Sequence, residues 1–401
     1  MLKHLKAQTD YLRKYYIFNT VLVFWLLFIP LKNTFYEASI ILMILMFFYH
    51  IVTFKTHKTL HLIIQSCKDI FITLSIIMVS MLFSSILGLD VLGNLIDLLK
   101  FFYRYVMILF ILLYFYHYHF FDKHFIVLCL LSILTLYALD GLYQYVTHYD
   151  LFFHKSLNGQ GLTGPTFNRN IFGLLMFIYC SLLLFLLLRY EQKKHSYLFY
   201  IFFTLGLFML SLSLSRASWT AFATFTILYI LINAKNILIS KKNLLLVLCM
   251  TVTIFILFHF NQTLLNRFQT LIQGSDSGRI IVWKYTLDLI SNSLWFGYGV
   301  DSSLTLFTTA VKRVHNMPLE IALYFGIFGV ISYSLFFGII YKIIYFTKQY
   351  YYAFFLTAYL VLLQFDGSLA NSKLHLSYLI LLVFFISTHI VDQISNAKAS
   401  L

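Results

Sequence analysis

Apolar runs of about 17–25 residues, the length that carries an α-helix across a bilayer, recur from one end of this 401-residue chain to the other. In hydrocarbon every backbone N–H and C=O must find a partner within the protein, so only helices and closed barrels span a membrane. Barrel strands alternate apolar and polar residues in short segments, whereas these runs are continuous. They predict an all-α polytopic membrane protein of about twelve transmembrane helices. The expected spans are 17–31, 36–54, 70–88, 101–118, 124–146, 168–190, 196–214, 217–234, 243–260, 317–346, 351–366 and 375–392. The tenth has room for an interfacial turn. Only 11% of the residues are charged, against about 25% in soluble domains, which is too little polar cover for an aqueous surface.

The first run follows Lys3, Lys6, Arg13 and Lys14, the charge pattern of a signal peptide. No small-x-small cleavage site follows, Ile29-Pro30-Leu31 being a poor one, so this run is expected to stay as the first helix. With the N-terminus inside, seventeen of the 29 lysines and arginines fall on the inner side, among them Lys55, Lys58, Lys68, Lys123, Arg189, Lys342, Lys348 and Lys398. Positive residues stay in the cytoplasm. Both termini are therefore expected in the cytoplasm, with 261–316 as one large outward loop, periplasmic in a cell with two membranes. The whole of 1–401 is expected to form a single integral membrane domain in the cytoplasmic membrane. The +14 charge is spread over loops and forms no basic patch on a soluble face, so orientation and anionic lipid explain it better than nucleic acid does. Cys67, Cys129, Cys180 and Cys249 lie in or beside apolar runs, as ordinary packing residues, with no disulfide framework and no Cys-x-x-Cys pattern.

Against the inward bias, Lys100, Arg104, Arg169, Arg216, Arg279 and Arg313 fall outside or at the outer membrane edge, and Asp140, Glu320 and Asp366 approach the same layer. A proton-coupled transporter would more often place such pairs near the midplane. Residues 278–289 read as an interfacial amphipathic helix, capped by Asp276 or Ser277, with Ile280, Ile281, Trp283, Leu287 and Ile290 as its apolar side and Trp283 tucked into the boundary. Arg279 then occupies the first turn, where backbone amides also face an anion. Its fork suits a diphosphate, although snorkelling to lipid phosphate is the plainer reading. Arg216 sits in Leu214-Ser215-Arg216-Ala217-Ser218, a turn whose small residues let helices approach. An anionic ligand or a nearby acid is expected to compensate its charge. His315 precedes Asn316 and Pro318, and the start of a helix disfavours an imidazolium, leaving a base. Its alternative is a capping or headgroup contact. Asn168 and Asn170, beside Arg169, suit contact with a sugar, although capping of the sixth span is the default reading. Phosphate-loop, His-Glu-x-x-His and Gly-x-Ser-x-Gly patterns are missing, as is an outer Asp-x-Asp. A metal mechanism therefore lacks ligands, and electrostatic assistance falls to arginine.

In order, the chain offers Gly164 to Asn170, Ser215-Arg216, Gly278-Arg279 with Trp283, Gly297-Tyr298-Gly299, His315-Asn316 and then Gly326-x-x-Gly329. This series resembles the O-antigen ligase/Wzy polymerase superfamily of membrane glycosyltransferases, over about residues 160–330. The resemblance implies a GT-C-like fold and an undecaprenyl-diphosphate-linked glycan as donor. In the ligase branch the acceptor is a sugar hydroxyl of lipid A-core, in lipopolysaccharide biosynthesis. By the same resemblance Arg216 and Arg279 match the arginines that hold the diphosphate. His315 matches the histidine that deprotonates or positions the acceptor hydroxyl, in an inverting transfer without metal or other cofactor. Lys100, Arg104, Arg169 and Asn316, with the two amides, are secondary contacts. The alternatives are a Wzy-type polymerase, a protein O-oligosaccharyltransferase or, in another class, a flippase for lipid-linked oligosaccharide.

Overall fold

A computed structural model describes residues 2–31, 33–157, 161–189, 196–239, 248, 250–253, 255, 259, 261–273, 278–300, 306, 314–366 and 372–399. Among them every regular element is a helix, and the one β feature is an isolated Tyr149–Ser156 bridge. The helices are α1 (Leu2–Phe28), α2 (Asn33–Phe54), α3 (His57–Ser66), α4 (Lys68–Leu87), α5 (Val91–Phe101), α6 (Met107–His117) and α7 (Lys123–Thr147). They continue with α8 (Arg169–Arg189), α9 (Ser196–Leu212), α10 (Arg216–Ile239), α11 (Gln262–Ile272), α12 (Arg279–Asn292), α13 (Met317–Thr347), α14 (Tyr350–Asp366) and α15 (Lys373–Ala399). Among the described residues, seven stretches are long and apolar enough to cross a membrane, and α1, α9, α10 and α14 hold shorter apolar ones. On α4, Ile70, Leu74, Ile77 and Met81 are buried while Ile72, Val79 and Phe83 on the other side are exposed. A helix apolar all round, with its outer side uncovered, is one that faces lipid. The chain is a polytopic helical membrane protein.

Two compact units divide the chain. One comprises Met1–Val127, Arg279–Gln349 and Gly367–Leu401; the other comprises Leu128–Gly278 and Tyr350–Asp366.

The first unit is organised around a broken helix. Within α13, Gly326 adopts φ 64° and ψ −161°, which interrupts the helical ladder. Such a break would strand carbonyls and amides that a membrane interior cannot satisfy. Residues 294–299 satisfy them. The Tyr298 and Gly299 amides donate to the Leu323 and Tyr324 carbonyls at 2.9 and 3.0 Å, and the Ile327 amide donates to Leu294 at 2.8 Å. Ser84 on α4 adds its hydroxyl to the Tyr324 carbonyl. The Leu89 amide closes the junction on the Tyr298 carbonyl at 3.0 Å. Gly297 and Gly326 make the crossing possible. A Cβ on Gly297 would strike the Tyr324 and Phe325 backbone, and one on Gly326 the Trp295 and Phe296 backbone.

The second unit is built on α8, α9, α10 and α14. Gly173 of α8 lies against the turn between α9 and α10, where an added Cβ would meet Ser215 Cβ at 2.6 Å and Ser218 Oγ at 2.8 Å. The preceding loop is fastened by buried acceptors. Asp140 takes the Leu151 amide at 2.7 Å, Asp150 takes those of Phe153 and Lys155 at 2.6 Å, and Gln144 takes those of Thr163 and Gly164 at 3.0 Å. The Leu162 amide reaches the Leu212 carbonyl at the end of α9, at 2.9 Å.

Several expected boundaries move. The span placed at 101–118 begins at Val91, capped by Asp90, whose carboxylate accepts the Gly93 amide at 3.0 Å. It then passes through a π turn at Phe102–Val106, where the Met107 amide reaches back to the Phe102 carbonyl. The stretch read as an inner loop contains α3. The segment 261–316 holds a second helix, α11, capped by Asn261 accepting from the Leu264 amide at 2.9 Å. Most of the expected span 243–260, with Asp276, Ser277, Lys312 and Arg313, lies outside the described residues, as does the Asp366 side chain.

Candidate functional site

Arg279 is the first residue of α12 and is half-buried. Helical spacing puts it on one face with Val282, Trp283, Thr286 and Ile290. Val282, Thr286 and Ile290 are buried, so this face turns into the unit. The single apolar side expected for this helix does not form. Ile281 is 74% exposed, and Ile280 and Leu287 are also exposed, while Ile290 is buried and Trp283 half-buried. Trp283 is not simply a boundary anchor either. Its indole N–H donates to the Val314 carbonyl at 3.0 Å.

That bond fixes the residue immediately before His315. His315 takes a left-handed backbone, φ 50°, which turns the chain into α13. Asn316 is the helix cap, its side-chain oxygen accepting the Leu319 amide at 3.1 Å, with Pro318 in the first turn. Asn316, expected as a secondary substrate contact, therefore spends one acceptor on the start of α13. The first unit thus links Arg279 to His315 through one helical turn and one side-chain hydrogen bond.

In the second unit, Arg216 is the first residue of α10. Leu214 before it is left-handed, at φ 55°. Ser215 caps the helix by accepting the Ser218 amide at 3.4 Å and pairs with the Ser218 hydroxyl at 2.9 Å. Arg169 begins α8 in the same way, and Asn168 caps it by accepting the Asn170 amide at 2.8 Å. Asn170 itself lies within the helix. Because Gly173, about one turn beyond Arg169, touches the turn that carries Arg216, these two helix starts are neighbours.

Lys100 and Arg104 each meet an acid. Lys100 holds Asp97 one turn away at 2.7 Å, and Arg104 is ion-paired with Glu37 of α2. The sequence reading had not assigned Glu37, because a lone acid early in an apolar span gives no sign of the cation it will meet. The Trp283 bond and the crossing at residues 294–299 were also not foreseen. The signal available for the crossing was the set of glycines at 297, 299, 326 and 329.

Residues 201–334 match a family described as O-antigen ligase. This stretch of the chain is similar to O-antigen ligases. A search of curated proteins finds no match. The O-antigen ligase match supports the likeness of residues 201–334 to the O-antigen ligase/Wzy polymerase superfamily. It runs from α9 into α13 and takes in Arg216, Arg279, His315, Asn316, Gly326 and Gly329. Lys100, Arg104, Asn168, Arg169 and Asn170 lie outside the O-antigen ligase match.

Proposed function

We propose that the protein is a glycosyltransferase of the cytoplasmic membrane, an O-antigen ligase that moves a glycan from undecaprenyl diphosphate to a sugar hydroxyl of lipid A-core. One observation carries the reading. Arg216 and Arg279 each begin a helix, and His315 directly precedes the cap of a third, all inside the family match. A helix start offers unpaired amides and the positive end of the dipole, and an arginine there adds a bidentate fork for phosphate oxygens. The same dipole favours a neutral imidazole, which is the form that accepts a proton.

In the proposed reaction the acceptor oxygen attacks the anomeric carbon in line with the bond to the diphosphate, so the configuration inverts. A C–O bond to the acceptor forms while the C–O bond to the diphosphate breaks. The hydroxyl proton passes to His315. The electron pair leaves on the diphosphate oxygen, where Arg216 and Arg279 stabilise the developing charge. Diphosphate is already a good leaving group, so two cations and one base suffice and no metal is required. Arg169, Asn168, Asn170 and Asn316 are proposed to line the approach of donor and acceptor. The proposed topology has both termini in the cytoplasm, 261–316 on the periplasmic side, a GT-C-like arrangement and about twelve spans.

The test follows transfer from purified lipid-linked donor to lipid A-core, with EDTA and without nucleotide. Wild type should form core-linked product. His315→Ala should lose about 10²–10⁴-fold in rate, and Arg216→Ala and Arg279→Ala about 10²–10³-fold each. Elongated diphospholipid without core-linked product would replace the ligase with a polymerase. Full activity of His315→Ala would remove His315 as the base, and no transfer product with wild type would remove the enzyme reading in favour of a flippase.

A further inference from the structure

A second concentration of charge lies in the first unit, among α2, the π turn after α5, and the start of α15. Glu37 meets Arg104 with one carboxylate oxygen and accepts the Tyr103 hydroxyl on the other at 2.9 Å. Lys373, the first residue of α15, donates to the Leu31 carbonyl at 2.6 Å and lies 5.0 Å from the centre of the Tyr36 ring. Its ammonium is within electrostatic reach of both Glu37 and Arg104. The Tyr36 hydroxyl pairs with Ser377 at 2.8 Å, which holds α2 and α15 in register. Arg104 is brought here by the π turn, a helical irregularity that recurs at functional sites.

Among the described residues, two cations therefore share one carboxylate. The Arg104 and Glu37 side chains are only 16% and 23% exposed. The Arg104 Nε–H is buried and has no hydrogen-bond acceptor. Excess positive charge in so little water is costly unless an anion completes it. Next to the cluster in sequence, Phe35 and Phe102 are exposed, so apolar surface adjoins the charge. Glu37 and Lys373 both lie within about a turn of the start of a membrane helix, the depth at which lipid phosphates sit.

We propose that Arg104 and Lys373 form a binding site for the phosphate group of an anionic membrane lipid, with Glu37 setting its strength. Arginine presents two parallel donors and the ammonium a compact charge, so together they clasp a phosphate from two sides. The adjoining phenylalanines receive the upper acyl chain. Glu37 competes for the same cations. The site stands independently of the transfer reaction proposed above.

The test uses the full chain in detergent, mixed with phosphatidylglycerol and phosphatidylcholine of matched acyl chains, and reads retained lipid by native mass spectrometry. Wild type should retain phosphatidylglycerol over phosphatidylcholine. Lys373→Gln should lower that retention about five-fold, and Lys373→Arg should restore it. Glu37→Gln should raise it, whereas a merely structural ion pair would show lower thermal stability and unchanged lipid. Equal retention of the two lipids, or unchanged retention in both Lys373→Gln and Glu37→Gln, overturns the site. A further arm adds inorganic phosphate. Stabilisation by phosphate alone as strong as by phosphatidylglycerol would overturn the lipid assignment and identify the ligand as a free anion.

Discussion

At the scale of single residues, Gly326 and Gly297 carry the least replaceable positions. Each has a positive φ, and each would drive a Cβ into backbone that belongs to the other's segment. Gly326→Ala should cost about 1–3 kcal/mol in backbone strain, plus the overlap, and should lower the unfolding temperature in detergent. Gly338, on the same helix, has open space around a Cβ. Gly338→Ala should be neutral or stabilising by up to about 1 kcal/mol, and a matched loss there would discount the crossing. Trp283→Phe keeps the ring and removes the donor to Val314. If that bond positions His315, the rate of transfer should fall about ten- to a hundred-fold while donor affinity holds. Burial pushes the Cys67 thiol up from 9.0 to about 12, outweighing its hydrogen bond to Ser387. The fold holds its protonated form, so this group lowers stability as pH rises from about 9 towards 12 and has no effect below that range. At pH 8 its alkylation should be slow until the protein is unfolded.

At the scale of elements, the contact between α8 and α10 decides where two arginines stand. Gly173 lets α8 reach the capping serines of α10. Gly173→Val should separate the helices and weaken donor binding, whereas the surface change Lys155→Gln should leave it intact; equal binding in both variants would show that the helix contact does not matter to the ligand. Hydropathy had announced both helices, and Asn168 was legible as a cap because Asx residues before an apolar run commonly play that role. Their contact was not legible, since a glycine inside an apolar span does not disclose its neighbour. The start of α5 was missed for a related reason. Asn94, Asp97 and Lys100 dilute its hydropathy, yet Asn94 is buried and Lys100 is answered by Asp97.

At the scale of the whole molecule, topology is the property most open to direct measurement. A single cysteine at Asn266, in an otherwise cysteine-free chain, should react with an impermeant maleimide added from the periplasmic side. One at Lys58 should react only after the cytoplasmic face is exposed, and the reverse pattern would invert the proposed orientation. The sequence by itself determined the all-helical membrane class and most of the spans, because lipid demands that each crossing be an apolar helix whose backbone satisfies itself. It also brought forward Arg216 and Arg279, since charge in such a chain is scarce enough to stand out, and His315 through the pattern around it. Only the tertiary structure decided which charges meet, as Arg104 meets Glu37. It alone supplied the partners for the broken backbone at Gly326 and for the carbonyl before His315. Those bonds join residues 25 to 240 positions apart along the chain or set two glycines face to face. Local composition records whether a backbone group needs a partner, and distant packing selects which partner it receives.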